Sequence, residues 1–364
     1  MQYRYDKEKN SVSMIAFGCM RFTKENGKIN LEKAEAEILE AMKLGVNYFD
    51  TAYMYCGGKS ESIIKKALDD LGYQENKIAQ VLAKGQTEFI GIIIPNLYLH
   101  YYSAILNQIL TSYSDNHYKF LVFLGDDDIE LERQYIQELQ AYNIQGLITL
   151  SHTIPSEELA SYNIPIVSIE REAQFISSVN TDNHLGGVQA TSHLIKNNCD
   201  ILIHINNFVN EDIPAYGRIA GFKTISSDSD IPYQIYQKDL GSNYSEISQS
   251  ITQLFKEIDK NYAGKRKGIF LANDTYANIF LNAVFQKYGC LPDNYKIIGF
   301  DDSPIASEAI LPLSSIKQDI SKITETALDI LQDLIQEHRK TKGKQQTIQH
   351  REVAPKLIKR NTTD

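Results

Sequence analysis

From residue 89 onward, short apolar runs rich in β-branched residues alternate with helix-length amphipathic segments, and that alternation restricts the fold more than any other property of the chain. The runs are Phe89–Ile94, Lys119–Leu124, 146–150, Ile166–Ile169, 201–205, 268–272 and 296–300. Most are separated by segments such as 97–110, 134–142, 185–195 and 276–288. A short apolar run closed by a turn former, as Phe89–Ile94 is by Pro95, reads as a strand buried on both faces. Strands of this kind, each followed by a helix, build doubly wound parallel α/β sheets. Two such lobes of about 130 residues each, crossing near Asn180 and Ser314, would leave a cleft between the carboxyl ends of their strands.

At 364 residues the chain suits two or three domains. Its 43% hydrophobic and 23% charged residues are ordinary for a soluble globular protein. Cys19, Cys56, Cys199 and Cys290 are scattered, which favours neither a zinc site nor a disulfide framework and fits a reducing cytoplasm. No secretory leader and no membrane-spanning apolar run are visible. A net charge of −9 opposes general attraction to nucleic acid.

The first 67 residues follow a different pattern. An apolar segment ends in Phe17-Gly18-Cys19-Met20, then Asn30 caps a helix expected over residues 31–44, which Gly45 stops before a strand at 46–49. Gly45-Val46-Asn47-Tyr48-Phe49-Asp50-Thr51-Ala52, with Tyr55 and Ser60-Glu61, resembles the first active-site block of the aldo-keto reductases. That resemblance implies the opening of a (β/α) barrel, with Tyr55 as proton donor to a carbonyl and Asp50 beside it. The barrel pattern stops near Leu68, and two strands cannot close eight. Asp50 and Tyr55 are therefore expected as vestiges of an incomplete site, on a fragment whose uncovered apolar faces favour poor order or association. An NADPH-dependent reductase is the alternative reading of the chain.

Between these halves, Asn76, Ala79 and Leu82 stand three residues apart and share one face of a short helix. Residues 68–82 resemble the last headpiece helix and the hinge helix of LacI/GalR-type repressors, and the resemblance continues to the C-terminus. It implies a two-lobed periplasmic-binding-protein-like module with doubly wound parallel sheets, a homodimer, and a carbohydrate effector. It also implies that paired hinge helices press Leu82 into the DNA minor groove, with Asn76 and Ala79 at neighbouring positions. The helix-turn-helix string of such repressors does not precede residue 68, so operator DNA is expected to be met only weakly and without sequence selection. The expected layout is an aldo-keto-reductase-like fragment at 1–67, a hinge region at 68–86 and an effector domain at 87–364.

A sugar needs bidentate acceptors and donors, a guanidinium and an aromatic face. The strand ends supply Asn96, Asp182, Asn183, Asn273 with Asp274, and Asp301 with Asp302. The resemblance implies effector contact for Arg218 in Arg-Ile-Ala-Gly-Phe, Asn273 in Ala-Asn-Asp and Asp301 in Gly-Phe-Asp-Asp. Helix capping is the plain alternative for Asp182, Asn273 and Asp301, and a surface salt bridge for Arg218. Tyr98, His152, Arg171 and Phe175 are weaker candidates for the pocket wall. Asp126-Asp127-Asp128 reads as a loop and helix start, and no metal or cofactor is expected.

Overall fold

In the computed structural model, which describes the chain apart from residues 1, 6–10, 27, 53, 71–86, 113–117, 126–127, 172, 242 and 342–346, the polypeptide forms two separate units, Met1–Gly85 and Gln86–Asp364. The hinge residues Asn76, Ala79 and Leu82 lie outside the described residues, as do Asp126 and Asp127.

The first unit holds strands β1 Tyr3–Tyr5, β2 Ser11–Ser13, β3 Phe17–Gly18, β4 Lys24–Glu25, β5 Lys28–Ile29 and β6 Phe49–Asp50, with helices α1 Leu31–Lys43 and α2 Ser60–Asp70. Asn30 opens α1 by accepting from Lys33 N (3.0 Å), and the helix buries Ala34, Ile38 and Ala41 on one face. Ala34 and Ile38 pack with Cys19, Phe22, Ile63 and Ala67. The strand expected over 46–49 is reduced to Phe49–Asp50. Asn47 is drawn instead to the N-terminal hairpin, accepting from Ser13 N and donating to Ser11 O, each at 2.7 Å. Among the described residues β3 and β6 are this unit's one parallel pair, and no barrel closes.

The second unit contains β7 Phe89–Ile94, β8 Lys119–Leu124, β9 Gly146–Thr149, β10 Ile166–Ile169, β11 Ser177–Thr181, β12 Ile201–Asn207, β13 Tyr233–Lys238, β14 Lys267–Leu271, β15 Tyr295–Asp301, β16 Ser314–Lys317, β17 His350–Val353 and β18 Lys356–Ile358. Its helices are α3 His100–Ser112, α4 Ile129–Ala141, α5 Ser156–Ser161, α6 Asn183–Lys196, α7 Tyr216–Ser227, α8 Tyr244–Asn261, α9 Asp274–Tyr288, α10 Pro304–Glu308 and α11 Ile320–Thr341. One sheet runs β17-β11-β10-β9-β7-β8 and the other β13-β12-β14-β15-β16-β18. Every pairing is parallel except β16 with β18.

Strands such as β7 and β14 are buried along nearly their whole length, as parallel strands covered on both faces by helices must be. Helix α4 starts five residues before the expected 134 because Asp128 accepts from Glu130 N (2.9 Å) and Leu131 N (3.2 Å). The chain passes between sheets after β11, after β16 and between β17 and β18, each time from the carboxyl end of a strand. The first two crossings match those expected, and the third returns the last strand to the second lobe. No described helix is long and apolar enough to cross a membrane.

Candidate functional site

The crossings bring the carboxyl end of β10 together with those of β14, β15 and β16, and the polar groups there are bonded across the lobe boundary. Glu170 follows β10 with a φ of 55°. Its carboxylate accepts from Thr181 N and from Asn183 Nδ2, the latter at 2.9 Å. Asn183, the first residue of α6, accepts from Arg218 Nε through Oδ1 (2.7 Å). Arg218 donates Nη1 to Ala272 O (2.6 Å) and lies over the Phe300 ring with Cζ 3.7 Å from its centroid. Its other donors have no hydrogen-bond partner among the described residues.

Asp301 completes the cluster. Gln318 receives the Thr181 hydroxyl on Oε1 and donates Nε2 to Asp301 Oδ1 (2.7 Å), linking both lobes to the carboxylate. Asp301 is 8% exposed and its φ of 104° lies where L residues are strained, at a cost of about 1–3 kcal/mol. Burial holds its carboxyl above the ordinary aspartate range, Arg218 and Gln318 pull against that, and Glu170 adds to it. Asp274, the first residue of α9, is likewise raised by burial and then by the charge of Asp301. Ser315 Oγ (2.6 Å) and Ser303 N (2.7 Å) both donate to Asp274. Tyr101 on α3 faces the same charges, and its buried hydroxyl has no hydrogen-bond partner among the described residues. Burial pushes that hydroxyl well above the usual tyrosine range.

Two glycines place Arg218. Helices α6 and α7 approach so closely that a Cβ on Gly187 would stand 2.5 Å from Arg218 O, and one on Gly221 would stand 2.2 Å from His184 O. Only a hydrogen fits at either position. This contact fixes the first turn of α7 against the start of α6, where Arg218 meets Asn183.

The remaining expected residues divide by what they touch. Asn273 is half-buried and caps α9 by accepting from Tyr276 N (2.8 Å), and Asp182 caps α6 by accepting from Leu185 N (2.8 Å). Asn96 holds the turn before α3, accepting from Leu99 N (3.3 Å). Tyr98 and Phe175 are exposed. Arg171 is buried and donates to Ser151 O (2.6 Å) and Ile154 O (2.5 Å), so it braces the first lobe's loops. Nδ1 of His152 is buried without a partner, and burial, aided by Arg171, lowers its pKa to about 4. In the first unit Asp50 is exposed and Tyr55 half-buried, at the start of a short 3-10 turn, Tyr55–Gly57.

Glu170, Tyr101, Thr181 and Gln318 were not among the expected site residues, whereas Asp274 was, as a strand-end group. Glu170 and Gln318 directly follow strand ends, so the rule that ligands sit at carboxyl ends could have found them. Tyr101 carries no local signal beyond its place at a helix start.

The profile of the periplasmic-binding-protein-like domain matches residues 191–363, and that of the aldo/keto reductase family matches residues 14–116. The second match overruns the first unit, so β7 and α3 fall within it although they pair and pack in the two-lobed unit. The ribose operon repressor of Halalkalibacterium halodurans is 25% identical over 85% of this chain and 89% of its own. The sucrose operon repressor of Streptococcus mutans is 28% identical over 76% of this chain and 84% of its own. A periplasmic binding protein/LacI transcriptional regulator from Alkaliphilus metalliredigens, solved with D-xylulofuranose, superposes with a TM-score of 0.65 at 26% identity, over 76% of this chain and all of that one. The Lac repressor dimer bound to operator, at 18% identity, a TM-score of 0.72 and cover of 94% of this chain and 99% of that one, shares the fold. The chain thus carries a segment that matches the periplasmic-binding-protein-like domain and is similar to sugar operon repressors, behind a segment that matches the aldo/keto reductases.

Proposed function

We propose that the Gln86–Asp364 unit is the sugar-sensing module of a cytoplasmic, homodimeric transcription regulator, and that its lobes close on a small carbohydrate. The observation that carries this reading is the buried guanidinium of Arg218, stacked on Phe300 beside Asp301 at the lobe boundary. A guanidinium and a carboxylate next to one another match the donors and acceptors of neighbouring sugar hydroxyls, and an enclosed setting strengthens such bonds. Tyr101 adds a hydroxyl with no protein partner, and Asn273 and Asp182 add polar groups at helix starts. The bonds joining Glu170 to Asn183, and Thr181 through Gln318 to Asp301, couple lobe geometry to the site. A ligand that binds one lobe angle better than another shifts the population toward it. The sugar bound in the Alkaliphilus relative supports the ligand class. Calorimetric titration with a panel of mono- and disaccharides tests the reading. Absence of heat with every sugar would count decisively against it.

Reduction of carbonyls by Tyr55 and Asp50 is not part of this proposal. At the carboxyl ends of β3 and β6, Ser60 Oγ donates to Cys19 O (2.9 Å) and pairs with Thr51 Oγ1 (2.7 Å). Those groups are bonded to one another. Turnover of NADPH with a reactive aldehyde, lost in Tyr55→Phe, would restore the reductase reading. On DNA, the proposed behaviour is weak, salt-sensitive and unselective association. A sequence-selective gel shift would contradict it.

A further inference from the structure

The opposite end of the second lobe, at the amino ends of β14 and β15, carries a cavity of about 720 Å³ that plays no part in the site above. Its wall is cationic. Lys256 and Lys260 stand one turn apart on α8, Lys287 comes from α9, and Lys267 begins β14. Asp259 is the one carboxylate among the lining residues, and it is already occupied. Lys287 donates to it, as do the hydroxyls of Tyr288 (2.7 Å) and Tyr295 (2.5 Å). Burial would raise the pKa of Asp259, yet these donors outweigh it and hold the group charged. Four lysines less one aspartate leave the lining with an excess of three positive charges, in a chain whose net charge is −9.

Lys267 makes the cavity more than a basic surface patch. It is 1% exposed, with Nζ 4.3 Å from the centroid of the Tyr295 ring and one hydrogen bond, to Lys265 O at 3.0 Å. A buried ammonium without a bonded carboxylate is costly, and an ammonium has further donors to offer. Desolvation accordingly lowers its pKa. Lys256 and Lys260 have no carboxylate within ion-pair distance among the described residues. An anion seated between these side chains would satisfy all three. A phosphomonoester, as a dianion with several acceptor oxygens, fits both the charge excess and the donor count. The cavity exceeds what a bare ion fills, and Tyr288 contributes an aromatic edge for an attached ring.

We propose that this cavity binds a small phosphorylated metabolite, with Lys256, Lys260 and Lys267 holding the phosphomonoester. The experiment is calorimetric titration of the full chain at constant ionic strength with glucose 6-phosphate, adenosine monophosphate and inorganic phosphate, against sodium sulfate and chloride. At least one phosphomonoester should bind more tightly than sulfate. The Lys256→Glu, Lys260→Glu double variant, altered only at side chains on the face of α8, should weaken it by about tenfold or more. Asp301→Ala should leave it intact, since that carboxylate belongs to the other end of the lobe. Lys267→Met should also lose binding, and if that variant does not fold the α8 pair still decides the matter. Failure of all three phosphates, an affinity untouched by the double charge reversal, loss in Asp301→Ala, or equal binding of sulfate as an adventitious ion only would each overturn the proposal. Loss in Asp301→Ala would assign the phosphate compound to the lobe boundary instead, and the other outcomes leave the sugar reading untouched.

Discussion

Arg218 stacks its guanidinium over the ring of Phe300, with Cζ 3.7 Å from the centroid, and Phe300 directly precedes Asp301. One aromatic side chain thus supports the cation while its neighbour supplies the carboxylate. A desolvated cation over a ring contributes about 0.5–2 kcal/mol, and the Nε bond to Asn183 adds a charged hydrogen bond. Lysine can supply the charge but neither the planar stack nor the fork. Arg218→Lys is therefore expected to weaken the sugar that binds wild type by about 10- to 100-fold. Calorimetry measures this directly, and unchanged affinity would remove Arg218 from the site.

The strained backbone of Asp301 permits a sharper test of its role. At a φ of 104° a glycine is at ease and an alanine is not. Both Asp301→Gly and Asp301→Ala remove the carboxylate that Gln318 holds. Sugar binding should therefore vanish in both variants, while Asp301→Gly should be the more stable by about 1 kcal/mol. Equal denaturation midpoints would mean that the strain is relieved elsewhere.

Asp274 and Asp301 predict an unusual slope of stability with pH. Burial raises the carboxyls of both, so the folded unit keeps a proton that the unfolded chain releases near pH 4. Stability from this source is full below that range and is lost as pH rises through the folded value, about 8 for Asp274. Two buried histidines act in the opposite sense. His204, whose ring is held between Phe222 and Phe270, has its pKa lowered to about 3, mainly by burial, and His152 to about 4. Both cost stability as pH falls below the usual histidine value near 6.5. Between pH 6.5 and 8 the carboxyl pair acts without them. Stability should fall there by at most about 1.4 kcal/mol per pH unit for each of the two carboxyls, and Asp274→Asn should reduce the slope. Urea melts across that window provide the measurement, and identical slopes for the two proteins would refute a proton retained on Asp274 in the folded unit.

Sequence and structure agree most closely where burial alone decides. Phe89–Ile94 and Ile166–Ile169 were legible residue for residue, because a run covered on both faces must be apolar throughout, and the edge strand Lys119–Leu124 was legible from its apolar run although it stays partly exposed. Ser177–Thr181 is also buried along most of its length, yet it is polar and gives no such signal. Its hydroxyls are satisfied from afar, as when Ser178 Oγ meets His350 Nδ1 (2.9 Å) 172 residues along the chain. The site divides in the same way. Arg218 and Asp301 announce themselves through motifs and strand ends, whereas Glu170 and Tyr101 gain their meaning from contacts that close only when the lobes cross. In the first unit the Asp50-Thr51-Ala52 block was readable, but the strand leading to it shrank because Asn47 bonds the N-terminal hairpin.

The close approach of α6 and α7 yields the last prediction. In Gly221→Ala the new methyl would meet His184 O at 2.2 Å and Val188 N at 2.9 Å, both backbone atoms that cannot swing aside. The helices must separate, which costs about 1–3 kcal/mol in a packed interior. The larger effect should fall on binding, because Arg218 sits less than one turn earlier on the same helix and reaches Asn183 across that contact. A small displacement there breaks the 2.7 Å bond and tilts the guanidinium off Phe300. Lys223→Ala, on the exposed side of α7, is the control and should change neither property. Gly221→Ala should therefore lower the melting temperature by several degrees. It should weaken the sugar by more than Lys223→Ala does, and a variant that melts early yet binds at wild-type strength would show that Arg218 is placed by something other than this helix pair.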